Sequence, residues 1–280
     1  MKQNLFKFVA DETAIESIAN GNVKFTRMSE LNDPLELFGN ANTEQVMESL
    51  EHYRKVGCNA EDLQNLTAQG YLLAKLTNNK NVLWAIPETP EQMAEMLQKR
   101  FLMDANSIEL GKHYLAQVRN EMLENTGVFC LSETFESLPM WAHYANNAQG
   151  FVVEFEDLES CFESDNTEVL NILSQVNYAD VPCITFDPNS HKKMFFSKHQ
   201  DWSYEREFRV LKALEDCQEG KPNIFLSRIP KENVKRIIIG WNFKGDIQTL
   251  INKIKAINPA IVISLARISY HNFKISVSDI

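Results

Sequence analysis

Long apolar runs are missing from the sequence. No stretch approaches the roughly 20 residues a membrane-spanning helix needs, and the start, Met1-Lys2-Gln3-Asn4-Leu5-Phe6-Lys7, lacks a signal-peptide apolar core. Cysteine is scarce. Cys58, Cys130, Cys161, Cys183 and Cys217 are odd in number, scattered and without a C-x-x-C pair. That argues against a disulfide framework, a disulfide-linked partner or a zinc knuckle. The expectation is a cytoplasmic protein with reduced thiols and no membrane partner. Basic residues are outnumbered, 28 Lys+Arg against 38 Asp+Glu, for a net charge of −10. A protein that coats nucleic acid or anionic lipid is therefore disfavoured, and nucleic acid is left only a local basic cleft. There is no P-loop, G-x-G-x-x-G, H-E-x-x-H, G-x-S-x-G elbow or kinase set. The six histidines (His52, His113, His143, His191, His199, His271) lack metal-ligand spacing, so no dedicated zinc site is expected.

What remains is ordinary globular material. The 280 residues are 44% hydrophobic and 24% charged, enough to bury a full core without staples. Leu5 through Val9 reads as a strand. Asp11 or Thr13 caps a helix that Asn20-Gly21-Asn22 stops, and Val23-Lys24-Phe25-Thr26 alternates as a second strand. Leu31-Asn32-Asp33-Pro34 has turn chemistry. Residues 42–125 read as mainly helical, with segments near 43–55 and 61–76. A strong start at Thr89-Pro90-Glu91-Gln92 and a break near 104–111 follow. Strand patterns return at 128–132, 151–155, 176–178, 205–212 and 235–240, with a short helix at 140–146. Asp246 caps a helix whose Ile247, Leu250, Ile251 and Ile254 share a face. Strands at 260–266 and 273–277 close the chain. The expectation is a single α+β domain over 1–280, a twisted mixed or antiparallel sheet with 42–125 as a helical insertion.

Four segments carry side chains suited to chemistry. In Trp202-Ser203-Tyr204-Glu205-Arg206-Glu207-Phe208-Arg209-Val210, period-two alternation puts Glu205, Glu207 and Arg209 on one strand face. Neighbouring carboxylates raise one another's pKa and an arginine moderates that. Such a pair suits a sugar hydroxyl or a cation, and the bland reading is a structural Glu–Arg pair. In Met140-Trp141-Ala142-His143-Tyr144, Trp141 and Tyr144 share a helical face as a stacking surface or, more simply, a core plug. His143 is a titratable acid or base, or an ordinary hydrogen-bonding residue. Arg27 ends a strand where it could bind an anion, while Asn32 and Asp33 bind ligand or simply build the turn. Ser132 sits at a strand end, where its hydroxyl could position a ligand.

In this order the segments resemble a bacterial family, domain of unknown function 2971. The resemblance rests on Phe6-Lys7-Phe8, on Phe25 through Leu31-Asn32-Asp33-Pro34, and on Phe129-Cys130-Leu131-Ser132 with Met140 to Ala145 and Gly150-Phe151. Trp202 to Arg209 completes it. Leu31 and Phe208 stand where that family usually has Phe and Trp. More remotely, the order of basic residue, Ser and Glu-x-Glu is similar to the ADP-ribosyltransferase pattern. That resemblance implies NAD as substrate and action in phage defence or toxin function. Glu207 becomes the carboxylate on the ribose, Glu205 its partner, Ser132 the middle-strand residue, and Lys7 or Arg27 the anion-binding base. Trp141 or Tyr144 stacks, and His143 is the remaining candidate acid or base. Two alternatives stand beside it. One is a non-catalytic module recognising a nucleotide, a peptide or a partner subunit through Trp141, Tyr144 and Trp202, and a small anionic ligand or a nucleotide is the expected partner. The other is a metal-dependent phosphodiesterase with Mg²⁺ on Glu205, Glu207 and Asp33.

Overall fold

The computed structural model describes residues 4–33, 55–57, 59–77, 89, 91–92, 95, 116–162, 169–180, 193, 195–269, 271 and 274–280. The fold is α+β, built on a twisted mixed sheet of eleven strands. β1 (Asn4–Val9) leads into α1 (Glu12–Ala19). The Ala14 N–H donates to Asp11 Oδ1 at 2.9 Å, so Asp11 is the N-cap. Gly21 follows the helix at φ +83°, a left-handed position that favours glycine. β2 (Asn22–Arg27) and a 3₁₀ turn (Met28–Glu30) come next. Within the expected helical block, α2 spans Ala60–Leu76 and residues 116–125 are helical. The Gln92 N–H donates to Thr89 Oγ1 at 3.2 Å. The expected helix at 43–55 and the break at 104–111 lie largely or wholly outside the described residues.

β3 (Thr126–Ser132), α3 (Leu138–Tyr144) and β4 (Phe151–Glu156) follow. Three short strands come next, β5 (Leu173–Gln175), β6 (Asn177–Ala179) and β7 (Ser197–His199). Then come a 3₁₀ segment (Gln200–Glu205) and β8 (Glu207–Ala213). β9 (Gln218–Lys221), β10 (Ile224–Arg228) and β11 (Val234–Ile239) precede α4 (Ile247–Ile257). β12 (Val262–Ser269) and β13 (Lys274–Asp279) finish the sheet. The strand order is β13-β12-β11-β4-β1-β3-β2-β10-β9, with β8 on β3 and β5 on β8. β11 and β12 run parallel across the α4 crossover, while the other pairs in this sheet are antiparallel.

Alternation sorts side chains onto the two faces. On one face, Leu5, Val9, Phe129, Phe155 and Val210 pack against Ile15 and Ile18 of α1 and Leu250 and Ile254 of α4. The other face carries two separate cores. Phe6, Phe8 and Val152 pack on Met140 and Trp141 of α3. Val128 and Leu211 pack on Met28, on Leu72 and Leu76 of α2, and on Met122. Gly150, the residue before β4, lies so close to β1 that a Cβ there would collide with the Val9 carbonyl. The region between the two cores of this second face is where the site forms.

One expected boundary is corrected. The strand begins at Glu207, not Glu205. Arg206 takes left-handed backbone (φ 45°, ψ 53°) as the C-cap of the 3₁₀ segment, and that breaks the alternation. Glu207 and Arg209 share a face as expected, but Glu205 reaches them from a different element.

Candidate functional site

β3 pairs with β8 along its whole length, from Thr126↔Ala213 to Ser132↔Glu207. Its other edge is shared. β2 meets it at Gly127 and Val128, and β1 only at Ser132. The two neighbours part over residues 129–131, and a cleft of about 250 Å³ opens at this fork. Phe6, Phe8, Leu31 and Met140 supply apolar wall, and Asn32, Lys7, Ser132, Lys198, Glu205 and Glu207 supply polar groups.

The floor is a buried charge cluster. Arg209 is fully enclosed. It donates from Nε to Glu207 Oε1 at 3.0 Å, from Nη2 to Glu207 Oε2 at 2.7 Å, and from Nη1 to the Phe195 carbonyl at 3.2 Å. Lys198 Nζ lies 2.7 Å from Glu205 Oε2 and 3.3 Å from Glu207 Oε2. The Trp202 ring centroid is 5.0 Å from the same ammonium, a cation–π contact. Burial pushes the Glu207 carboxyl up. Arg209 and Lys198, with hydrogen bonds from Arg209 and the Cys130 thiol, outweigh burial and hold it well below the usual carboxylate range. Two carboxylates against an ammonium and a guanidinium leave the floor neutral.

Glu205 faces the cleft through its other oxygen. The Tyr144 hydroxyl donates to Glu205 Oε1 at 2.5 Å, and Asn32 Nδ2 donates to that hydroxyl at 2.6 Å. Burial, then the bond to Glu205, pushes the Tyr144 phenol well above its usual range, so it stays a donor. The Ser132 hydroxyl, fully buried, donates to the Glu205 carbonyl at 2.7 Å and anchors the start of the β8 segment. The Glu207 N–H donates to the Tyr178 hydroxyl at 2.8 Å. Burial, then the Glu207 charge, pushes the Cys130 thiol far up, so this cleft-lining cysteine is a weak nucleophile.

Lys7 borders the cleft, its ammonium 5.5 Å from the Phe129 ring centroid. Arg27 points elsewhere. It donates to the Glu124 carbonyl, lies 3.4 Å from the Glu124 carboxylate, and sits over the Phe225 ring. Trp141 is fully buried, donates from Nε1 to the Phe135 carbonyl at 2.7 Å, and packs on Phe8 and Trp241. It is core and offers no stacking surface, whereas Tyr144 on the same helix lines the cleft. His143 is exposed, with Nδ1 3.2 Å from the Tyr204 hydroxyl, outside the cleft lining. Asp33 is buried and outside the lining too. Trp202 stands behind Lys198. Lys198, Tyr178 and Cys130 join the site without a signal in the sequence. A lone lysine in Phe195-Phe196-Ser197-Lys198-His199 carries no spacing signal, and only pairing in three dimensions shows its role.

Comparison with known families bears on this segment directly. Residues 140–210 match DUF2971, a protein family of unknown function. The matched stretch includes Tyr144, Lys198, Glu205, Glu207 and Arg209, so the DUF2971-like part of the chain holds the charge cluster. Phe6-Lys7-Phe8, Asn32 and Ser132 fall outside it. No curated protein and no solved structure matches the chain. Among the described residues no helix is long and apolar enough to cross a membrane, and no group of three or more His, Cys, Asp or Glu is arranged to hold a metal ion.

Proposed function

We propose that the fork cleft binds a small hydroxyl-bearing ligand of nucleotide type through Glu205. We further propose that its chemistry is glycosyl transfer from NAD, of the ADP-ribosyltransferase kind, in the cytoplasm. The observation that carries this reading is the position of Glu205 at the cleft. One carboxylate oxygen meets the Tyr144–Asn32 pair at the rim and the other meets Lys198. A ligand hydroxyl that replaces the Tyr144 hydroxyl finds an acceptor already oriented. A fixed carboxylate also stabilises positive charge that develops on a ribosyl carbon as its C–N bond breaks. The resemblance gives that role to Glu207. The hydrogen bonds favour Glu205, because both Glu207 oxygens are held by Arg209. Lys7 supplies a cation for a phosphate. At about 250 Å³, the cleft is just below the roughly 300–1,000 Å³ of drug-sized sites. It suits a ribose with its attached group better than a whole dinucleotide. The reading takes residues 1–280 as one α+β domain with a helical insertion over 42–125. Phage defence or toxin action enters on the resemblance alone.

Nicotinamide release from NAD tests the chemistry. Wild type should release it, and Glu205→Gln should lower the rate at least about tenfold, since removing one electrostatic stabiliser costs on the order of 10²–10³. Equal rates would refute the proposal. The non-catalytic binding module is the second reading, favoured by the fact that each carboxylate oxygen of Glu205 and Glu207 already has a partner. It predicts NAD binding without turnover. The phosphodiesterase reading has less support, because Asp33 is outside the lining and an ammonium stands between the carboxylates.

A further inference from the structure

The Lys198 ammonium occupies the point between the two carboxylates, 2.7 Å from Glu205 Oε2 and 3.3 Å from Glu207 Oε2. Its side chain is 5% exposed. Two carboxylate oxygens converging on one point is the arrangement that hard divalent cations seek, since they bind oxygen ligands at about 2.0–2.6 Å. A fixed ammonium meets the same charge demand without an ion. It is also built in from another element, β7, which holds it beside Tyr178 of β6 in the pairing Tyr178↔Lys198. We propose that Lys198 is a specificity-determining residue, a built-in cation that closes the Glu205–Glu207 pair to divalent metal ions. Glu205 is thereby reserved for a hydroxyl-bearing ligand. The closure to metals stands on this geometry alone, and the consequence for the ligand rests on the function proposed above.

Removing Lys198 changes the charge balance in a defined way. Glu207 keeps Arg209, but Glu205 loses the one cationic neighbour it has within ion-pair distance among the described residues. A divalent ion is the smallest species that restores the charge. The Tyr144 hydroxyl, already against Glu205 Oε1, offers a further oxygen beside it. Arg209 remains on Glu207 and keeps the affinity low, so weak oxygen-ligand binding is expected, on the order of 10⁻⁴–10⁻³ M.

The experiment is Mn²⁺ binding followed by electron paramagnetic resonance, on wild type, Glu205→Gln, Lys198→Ala and the double variant Lys198→Ala with Glu205→Gln. Circular dichroism establishes that each is folded. Wild type should bind no Mn²⁺ that depends on Glu205. Lys198→Ala should gain a site in the range above, and adding Glu205→Gln should abolish it. If Lys198→Ala does not fold, Lys198→Gln removes the charge with less loss of volume and carries the same expectations. A folded charge-removed variant that gains no Mn²⁺ would overturn the inference. So would Mn²⁺ binding by wild type that disappears in Glu205→Gln. A gain of Mn²⁺ in a protein that neither binds nor cleaves NAD would support Lys198 as the built-in cation while removing the NAD reading. NAD turnover without that gain would do the reverse.

Discussion

Glu205 and Glu207 lie two positions apart and live in different electrostatic surroundings. Glu207 is gripped on both oxygens by Arg209 and reached by Lys198 and Cys130, and its carboxyl is held well below the usual range. Its work is structural. Replacing it by glutamine strands a buried guanidinium, and breaking a buried pair by removing one partner costs about 3–5 kcal/mol. The sign of the pH effect follows from the lowered pKa. Stabilisation by Glu207 is fully present above its unfolded value of about 4.3 and is lost as pH falls through the lower folded value. Denaturant unfolding at neutral pH should show Glu207→Gln destabilised by that amount, with a flatter decline into acid than wild type. A loss under about 1 kcal/mol would mean the Glu207–Arg209 pair does not anchor the floor. The alternation that places Glu207 beside Arg209 is legible in the sequence. The pairing of Glu205 with Tyr144, and the ammonium between the carboxylates, are not, because they join residues 61 and 7 positions apart across separate elements.

At the scale of elements, strong periodicity and capping chemistry read well. α4 begins where Asp246 caps it, with Gln248 N–H on Asp246 Oδ1 at 3.0 Å, and buries the Leu250 and Ile254 face. Ile254 is fully buried in the core shared with α1. Ile254→Ala should cost about 2–5 kcal/mol through lost burial and a residual cavity, measured by urea unfolding. A cost below about 1 kcal/mol would contradict the packing of α4 on this face. Short or polar strands read poorly. β5 and β7 have three residues each, and β9 is Gln-Glu-Gly-Lys with every position exposed. Their backbone pairing, not their side chains, makes them strands. The start of β8 departs from the sequence pattern for a related reason. Arg206 in left-handed backbone interrupts a pattern that looks like continuous alternation, and no residue type there announces it. Trp141 shows the converse, since an aromatic at helical spacing beside Tyr144 fits core and cleft equally until burial decides.

For the whole molecule, a net charge of −10 says little about the site, whose floor balances two carboxylates against Lys198 and Arg209. What the sequence cannot reveal is the fork. β1 and β2 share one edge of β3 and separate between two cores, and that divergence creates the cleft. Lys7, Tyr144, Lys198 and Glu205 meet there from β1, α3, β7 and the segment before β8, whereas Arg27 and His143 stay outside the cleft. The central claim is that this cleft takes a nucleotide-type ligand through Glu205. Calorimetric titration of NAD into wild type and Glu205→Gln tests it most directly. Wild type should bind NAD measurably, and the folded variant at least about tenfold more weakly, a difference of about 1.4 kcal/mol. Equal affinity in the two proteins, or no heat of binding to wild type, would contradict it.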